Sequence, residues 1–191
     1  MCSARISADD VAKRELALYE VNEMSKRELK RNLVGQLNIP DGLVDITDPC
    51  YDKDVWCRMN DVKVMPGTYN CYAYMGTDRT WGTRCWIAQI VIADGPYDEI
   101  AEDKICSGRS WRAIGSIGVD AGMAGFFNHK PDFDDKEWSK VCGTRCVSNA
   151  CKAYMENFAN GFWTDSGIGD GCYTVHAIRE DRKIIALEIR F

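Results

Sequence analysis

The sequence predicts an α+β protein that is mainly β: an antiparallel β-sandwich or curled sheet with an N-terminal helix pair and one further helix. Three observations lead there. The terminal DRKIIALEIRF sets Ile185, Leu187, Ile189 and Phe191 on one side and Ile184, Ala186, Glu188 and Arg190 on the other, the two-residue period of a strand. Turn signals, Asp48-Pro49, Pro66-Gly67 and Asp94-Gly95-Pro96, recur between apolar runs. Helical spacing is confined to the first forty residues and to 132–158.

Taken in order, residues 1–40 read as a helical appendage and 41–191 as a β-rich domain. Ser7 with Asp10 and Ser25 with Glu28 have the spacing of capping boxes. Ala8, Val11, Ala12, Leu16 and Tyr19 then mark one helix; Leu29, Leu33 and Leu37 mark a second, closed by Gly35 and Pro40. Lys26, Arg27, Lys30 and Arg31 give that second helix a basic, solvated face that also suits partner docking. Each helix has a single apolar stripe, so the pair must pack on the main domain or on another copy, and a homo-oligomer is expected.

From Leu43 the pattern becomes that of strands. Val44 and Ile46 alternate with Asp45 and Thr47, and TYNCYAYM alternates after the turn at Pro66-Gly67. CWIAQIVIA is apolar on both faces, as expected of a central strand. WRAIGSIGVDAG carries Gly115, Gly118 and Gly122, which suggest a bulge or close backbone approach. Tyr173, Val175 and Ala177 supply the inner face of the strand that pairs with the last one, across a hairpin turn at Glu180 to Arg182.

Composition bounds the function. A chain of 191 residues, 46% hydrophobic and 28% charged, fits one domain with a real core. The net charge of −5, with Lys and Arg scattered, argues against a general grip on nucleic acid. No stretch approaches the ~20 apolar residues that a membrane span needs, and no export signal is visible, so a cytoplasmic location with its ten cysteines kept as thiols is expected.

Residues 161–175, GFWTDSGIGDGCYTV, raise the question of a phosphate cradle. Gly167, Gly169 and Gly171 are spaced by two and precede a strand, whereas a dinucleotide fingerprint needs G-x-G-x-x-G before a helix; a P-loop would need Gly-Lys-Ser/Thr, which is absent. The glycines therefore serve first to turn the chain. A second use is an anion-binding nest, with Asp165, Ser166 or Asp170 orienting a ligand and Trp163 offering a stacking face; Asp120 and Gly122 of the VDAGMAG loop join it if the two loops converge. The candidate ligand-binding set is thus Asp120, Gly122, Trp163, Asp165, Ser166, Gly167, Gly169 and Asp170.

No metal, cofactor or catalytic residue is assigned. Cys142, Cys146 and Cys151 lack a Cys-x-x-Cys knuckle, and buried thiols are the simpler reading. The run Asp45, Asp48, Asp52, Asp54 lacks the alternating ligands and bend glycine of a calcium loop; Asp48 instead is placed to accept amides of the turn at Pro49. His129 and His176 are the chain's only histidines, and His176 stands ~13 Å along the strand from Cys172, too far for proton transfer. Of six tryptophans, 56, 81, 86, 111, 138 and 163, most are expected as core anchors, with Trp81, Trp111 and Trp163 beside glycine or polar loops.

The blocks DITDPCYDKDVWC (45–57), MPGTYNCYAY (65–74), WGTRCWIAQIVI (81–92), IGVDAGMAGFF (117–127), EWSKVC (137–142) and SGIGDGCYTV (166–175), followed by IIALEIRF, resemble an uncharacterised family of bacteria and bacteriophages with no assigned activity. The resemblance spans residues 43–191 in order and implies a bacterial or phage origin, with no catalytic residues to carry over. The expectation is a non-enzymatic cytosolic binding protein for a small anionic or nucleotide-like ligand, compatible with phage proteins that sequester immune signalling nucleotides. The alternatives are a hydrolase using Asp120, Asp165 or Asp170, and an interaction module acting through the N-terminal helices.

Overall fold

A computed structural model describes residues 29–95, 97, 111–143 and 160–191. Its elements are β1 Lys30–Ile39, β2 Leu43–Thr47, β3 Met59–Lys63, β4 Gly67–Asp78, β5 Gly82–Ile92, β6 Arg112–Val119, β7 Met123–Phe127, α1 Asp135–Gly143, β8 Gly161–Asp165, β9 Gly171–Glu180 and β10 Lys183–Arg190. They form a six-stranded sheet, order β1-β4-β5-β10-β9-β6, and a four-stranded sheet, order β3-β2-β7-β8. The paired strands are antiparallel. The expected mainly β, antiparallel character is what the structure has. Among the described residues, no helix is long and apolar enough to cross a membrane.

The two-residue period explains how the sheets meet. In the larger sheet Cys71, Ile90, Leu187 and Ala177 stand opposite one another across four strands, as do Ala73, Ala88, Ile189 and Val175. These rows share one core with Val44 and Ile46 of β2, Ala124 and Phe126 of β7, and Phe162 of β8. Full burial of each branched aliphatic or aromatic side chain contributes about 1.5–3 kcal/mol, so this shared layer is the main source of stability. The terminal strand is central because its apolar residues fill both of its faces, and β5 and β9 flank it.

The same alternation gives the smaller sheet a second apolar face. Phe126 stacks on Phe162 in the shared core, while Phe127 stacks on Trp163 on the other side, centroids 5.6 Å apart. Val141 of α1, with Trp138 and Phe133, packs on Met123, Phe127 and Trp163 there. The helix starts where Asp134 accepts the amides of Lys136 and Glu137 at 2.9 and 2.8 Å and Glu137 accepts the amide of Asp134, a reciprocal cap.

One expectation is overturned. Residues 30–39 are a strand paired with β4, not the second helix of an appendage, so the larger sheet begins inside the expected 1–40 segment. Leu29, Leu33 and Leu37 are four apart, and four is a helical spacing and also a multiple of the strand period, so they do not distinguish the two. Ile39 breaks the tie: it is fully buried with Leu37 two residues before it, while Leu33, beyond a bulge at Leu33/Gly35, is 61% exposed. The first expected helix, with Lys26 and Arg27, lies outside the described residues, as do Cys146, Cys151 and the rest of 144–159. The hairpin between β9 and β10 turns on Asp181 and Arg182, with φ of 46° and 69°, the paired left-handed conformation that matches strand twist.

Candidate ligand-binding site

Three polar groupings are built into this frame. The first contains most of the residues singled out from the sequence. Asp48, fully buried, accepts the amides of Cys50 (2.8 Å), Asp120 (2.8 Å) and Ala121 (2.7 Å), tying the turn after β2 to the loop between β6 and β7. The amide of Ser166 donates to the Gly122 carbonyl at 3.0 Å, which joins the SGIGDG loop to the same cluster. That loop carries the chain from β8 in one sheet to β9 in the other.

The loop seals itself. Ser166 Oγ donates to the Gly169 carbonyl (2.7 Å), the Gly169 amide returns a bond to the Ser166 carbonyl (2.8 Å), and the Tyr173 hydroxyl reaches the Gly169 carbonyl at 2.6 Å. Gly167 is required here: its φ is +53°, and a Cβ would stand 2.7 Å from Phe191 Cβ. Asp120 and Asp170 are exposed, and Asp165, Gly122 and Gly169 are half-buried. Trp163 is separate, buried against Phe127 in the layer beneath α1. The surroundings are acidic: burial and then the charges of Asp48 and Asp120 push the Cys50 thiol up, and Asp170 adds to the burial that raises Tyr173. An anion gains little from such a site.

A second group anchors the opposite side of β2. Asp45 accepts from Arg58 (3.2 Å) and from the amides of Asp61 and Lys130 (both 3.0 Å), while Arg58 also donates to the Tyr51 carbonyl. Lys130, lowered by burial and by Arg58, donates to the Pro131 carbonyl and lies over the Phe133 ring. Asp45 and the terminal amines of Arg58 are paired within the group, while Arg58 Nε is buried without a hydrogen bond; the pairing ties together β2, β3 and the loop after β7. His129, in that loop, is exposed and paired with Asp41. Among the described residues no three His, Cys, Asp or Glu are grouped to hold a metal ion.

The third group was not identified from sequence. On the face of the larger sheet turned away from the Cys71–Ile90–Leu187 row, Tyr72, Gln89, Glu188 and His176 stand directly opposite one another on β4, β5, β10 and β9. Gln89 and Glu188 are fully buried. The Tyr74 hydroxyl donates to Gln89 Oε1 at 3.2 Å, and Arg190 Nε and its guanidinium amine donate to Glu188 Oε1. The Arg31 guanidinium lies 3.6 Å over the Tyr72 ring. Glu188 Oε2, Gln89 Nε2 and His176 Nδ1 are buried and make no hydrogen bond of ordinary geometry.

Electrostatics sharpen the contrast. Burial raises the Glu188 carboxyl, opposed by Arg190 and by the nearby Gln89 amide. Burial and then Arg190 bring His176 down to about 4, so its imidazole is neutral at physiological pH. Two adjacent titratable groups displaced by desolvation make the row a candidate site, since such shifts cluster where proteins bind or react. A signal did exist in the sequence: Gln89 is the single polar residue of CWIAQIVIA, and Glu188 is set among apolar residues in IIALEIRF, with Arg190 two residues on.

Comparison with family models, with curated proteins and with solved structures finds no match to this chain.

Proposed function

We propose that this protein binds a small nucleotide-like ligand, one that carries hydrogen-bond donors, without transforming it, and that the ligand is taken by the row Gln89, Glu188 and His176 with Arg31 and Arg190 beside it. One observation carries the reading: a carboxyl, Glu188, is fully buried, holds one oxygen with two donors from Arg190 and has only a poorly aligned approach of the Gln89 amide for the other. An unmatched buried polar group costs about 1–3 kcal/mol, a penalty that a ligand supplying the missing bond removes. The row also ends toward solvent: His176 is half-buried, and Ala113, next across the sheet on β6, is exposed.

The glycine-rich loop has less support as the ligand site because its own hydroxyls and amides fill its carbonyls. The hydrolase reading has less again. Asp120 and Asp170 are exposed and lack the desolvated setting in which acid–base pairs are tuned. A protein that sequesters a signalling nucleotide needs donors, acceptors and an enclosing face, and no nucleophile, which suits the counter-defence role compatible with the resemblance.

Native mass spectrometry of the full chain purified from bacteria tests the reading. A small-molecule adduct is expected on the natural protein and absent from Glu188→Leu, with unchanged circular dichroism. An adduct that survives in Glu188→Leu places the ligand elsewhere and overturns the assignment.

A further inference from the structure

We propose that Cys57 and Cys172 form a redox-active thiol pair, a site at which a peroxide closes a disulfide between the turn that leads into β3 and the start of β9. Three observations bring the two side chains to one spot. Gly118 of β6 and Cys172 of β9 stand directly opposite one another, so the Cys172 side chain and the empty Cβ position of Gly118 lie on the same face of the larger sheet. The Gly118 amide points away from β9 and donates to the Cys57 carbonyl at 2.7 Å. That makes Gly118 and Cys172 a non-hydrogen-bonded pair, the closer of the two kinds, with Cα atoms about 4.5 Å apart.

Cys57 fills the space that the glycine leaves. Its Sγ lies 2.9 Å and its Cβ 3.1 Å from the position a Gly118 Cβ would occupy. Side chains on neighbouring strands ordinarily keep their Cβ atoms about 4.5–5.5 Å apart, so at this distance Cys57 leans across β6 toward β9. Any side chain at position 118 would take the place of the Cys57 sulfur beside Cys172. Residues 52–54 of the turn are exposed, which leaves that segment free to follow the sulfur as the bond closes.

Both thiols are open to a small oxidant: Cys172 is exposed and Cys57 half-buried. The nearby Cys50 is not equivalent, because burial and the charges of Asp48 and Asp120 push its thiol up and keep it protonated. Cys71 and Cys85 are buried, and Cys142 stands apart on α1. In the reaction, the more exposed Cys172 gives its proton to solvent and its thiolate attacks one oxygen of hydrogen peroxide; the O–O bond breaks, the departing hydroxide is protonated to water, and a sulfenic acid remains. Cys57 attacks that sulfur, the S–S bond forms, and the second hydroxide leaves with the Cys57 proton as water. Two thiols lose two electrons and the peroxide gains them; a thiol reductant reverses the bridge by exchange. The product is a covalent link between the two sheets, closed beside Trp56, which is 92% exposed.

Peptide mapping of the freshly reduced full chain after brief treatment with hydrogen peroxide, digested without reductant, tests this. A peptide joining Cys57 to Cys172 is expected, lost on adding dithiothreitol, and formed at least about tenfold faster in the folded chain than in concentrated urea, because the fold holds the two sulfurs together. Cys57→Ser, with unchanged circular dichroism, is expected to strand Cys172 as a sulfenic acid that dimedone labels several-fold more than in the natural chain. Four results would overturn the proposal: oxidation that joins other cysteines and not this pair, a link that forms as fast in urea as in the fold, labelling of Cys172 unchanged by Cys57→Ser, or neither thiol oxidised.

Discussion

The glycine-rich loop cluster and the polar row of the larger sheet hold buried polar groups in opposite states. Around Asp48 and Ser166 the donors meet acceptors within the chain: three amides on one carboxylate, a hydroxyl and a phenol on one loop carbonyl. Along Gln89, Glu188 and His176 the bonds are fewer and poorly aligned: Gln89 Nε2, Glu188 Oε2 and His176 Nδ1 make none of ordinary geometry. The well-aligned network holds two sheets in place, whereas a buried polar row with strained pairing is where an added partner has most to offer. Conspicuous sequence and the proposed site therefore fall in different places: the run with the most glycine is closed by its own hydrogen bonds, and the proposed row centres on polar residues inside apolar strands.

That contrast can be broken first at Asp48. Asp48→Ala should remove acceptors from three amides in a buried place and lower stability by about 3–5 kcal/mol, read from urea unfolding. A loss below about 1 kcal/mol would mean that the loop cluster is not the clamp described.

Next in size is the pH response of His176. Its folded pKa, about 4, lies below the unfolded 6.5, so between those values the unfolded chain binds the extra proton and stability falls as pH falls. Discounted for its half-buried position, the effect is about 1–2 kcal/mol. Glu188, raised in the fold, acts in the opposite sense, losing stability as pH rises above the unfolded carboxyl value through the folded one. Comparing His176→Gln with the natural chain at pH 7 and pH 5 isolates the first contribution: the variant should lose less on acidification, and equal losses would place the histidine outside the desolvated row.

Smaller still, Tyr173→Phe removes the phenol from the Gly169 and Ser166 carbonyls while Ser166 Oγ remains on Gly169. A cost of about 1 kcal/mol is expected in thermal unfolding. No change would sharpen the account by assigning the loop's closure to Ser166 alone.

Much of the frame was legible from local pattern. The alternation of 184–191, the inner face Tyr173, Val175 and Ala177, the hairpin at Glu180 to Arg182 and the doubly apolar CWIAQIVIA need only near neighbours along the chain, and the structure has each of them. The acceptance of turn amides by Asp48 and the approach of Gly122 to the SGIGDG loop were also readable, from turn chemistry and from the order of the blocks. What escaped depends on register between distant strands. Residues 72, 89, 176 and 188 become neighbours only because the terminal strand inserts between β5 and β9, and no local pattern states that pairing. Glu188 then reads as an ordinary outward residue of an alternating strand, and His176 as a half-exposed one. The spacing of Leu29, Leu33 and Leu37 failed for a different reason: it satisfies both periods.

The most direct measurement is the stability of Glu188→Leu in the absence of added ligand. If the carboxyl is there for a ligand, replacing it with an apolar side chain of similar size leaves urea stability unchanged or raises it by about 1–2 kcal/mol, since a buried, half-matched charge is removed and Arg190 is free to turn to solvent. A loss of about 3 kcal/mol or more would show that Glu188 belongs to the scaffold and would contradict the assignment of the row as a binding site.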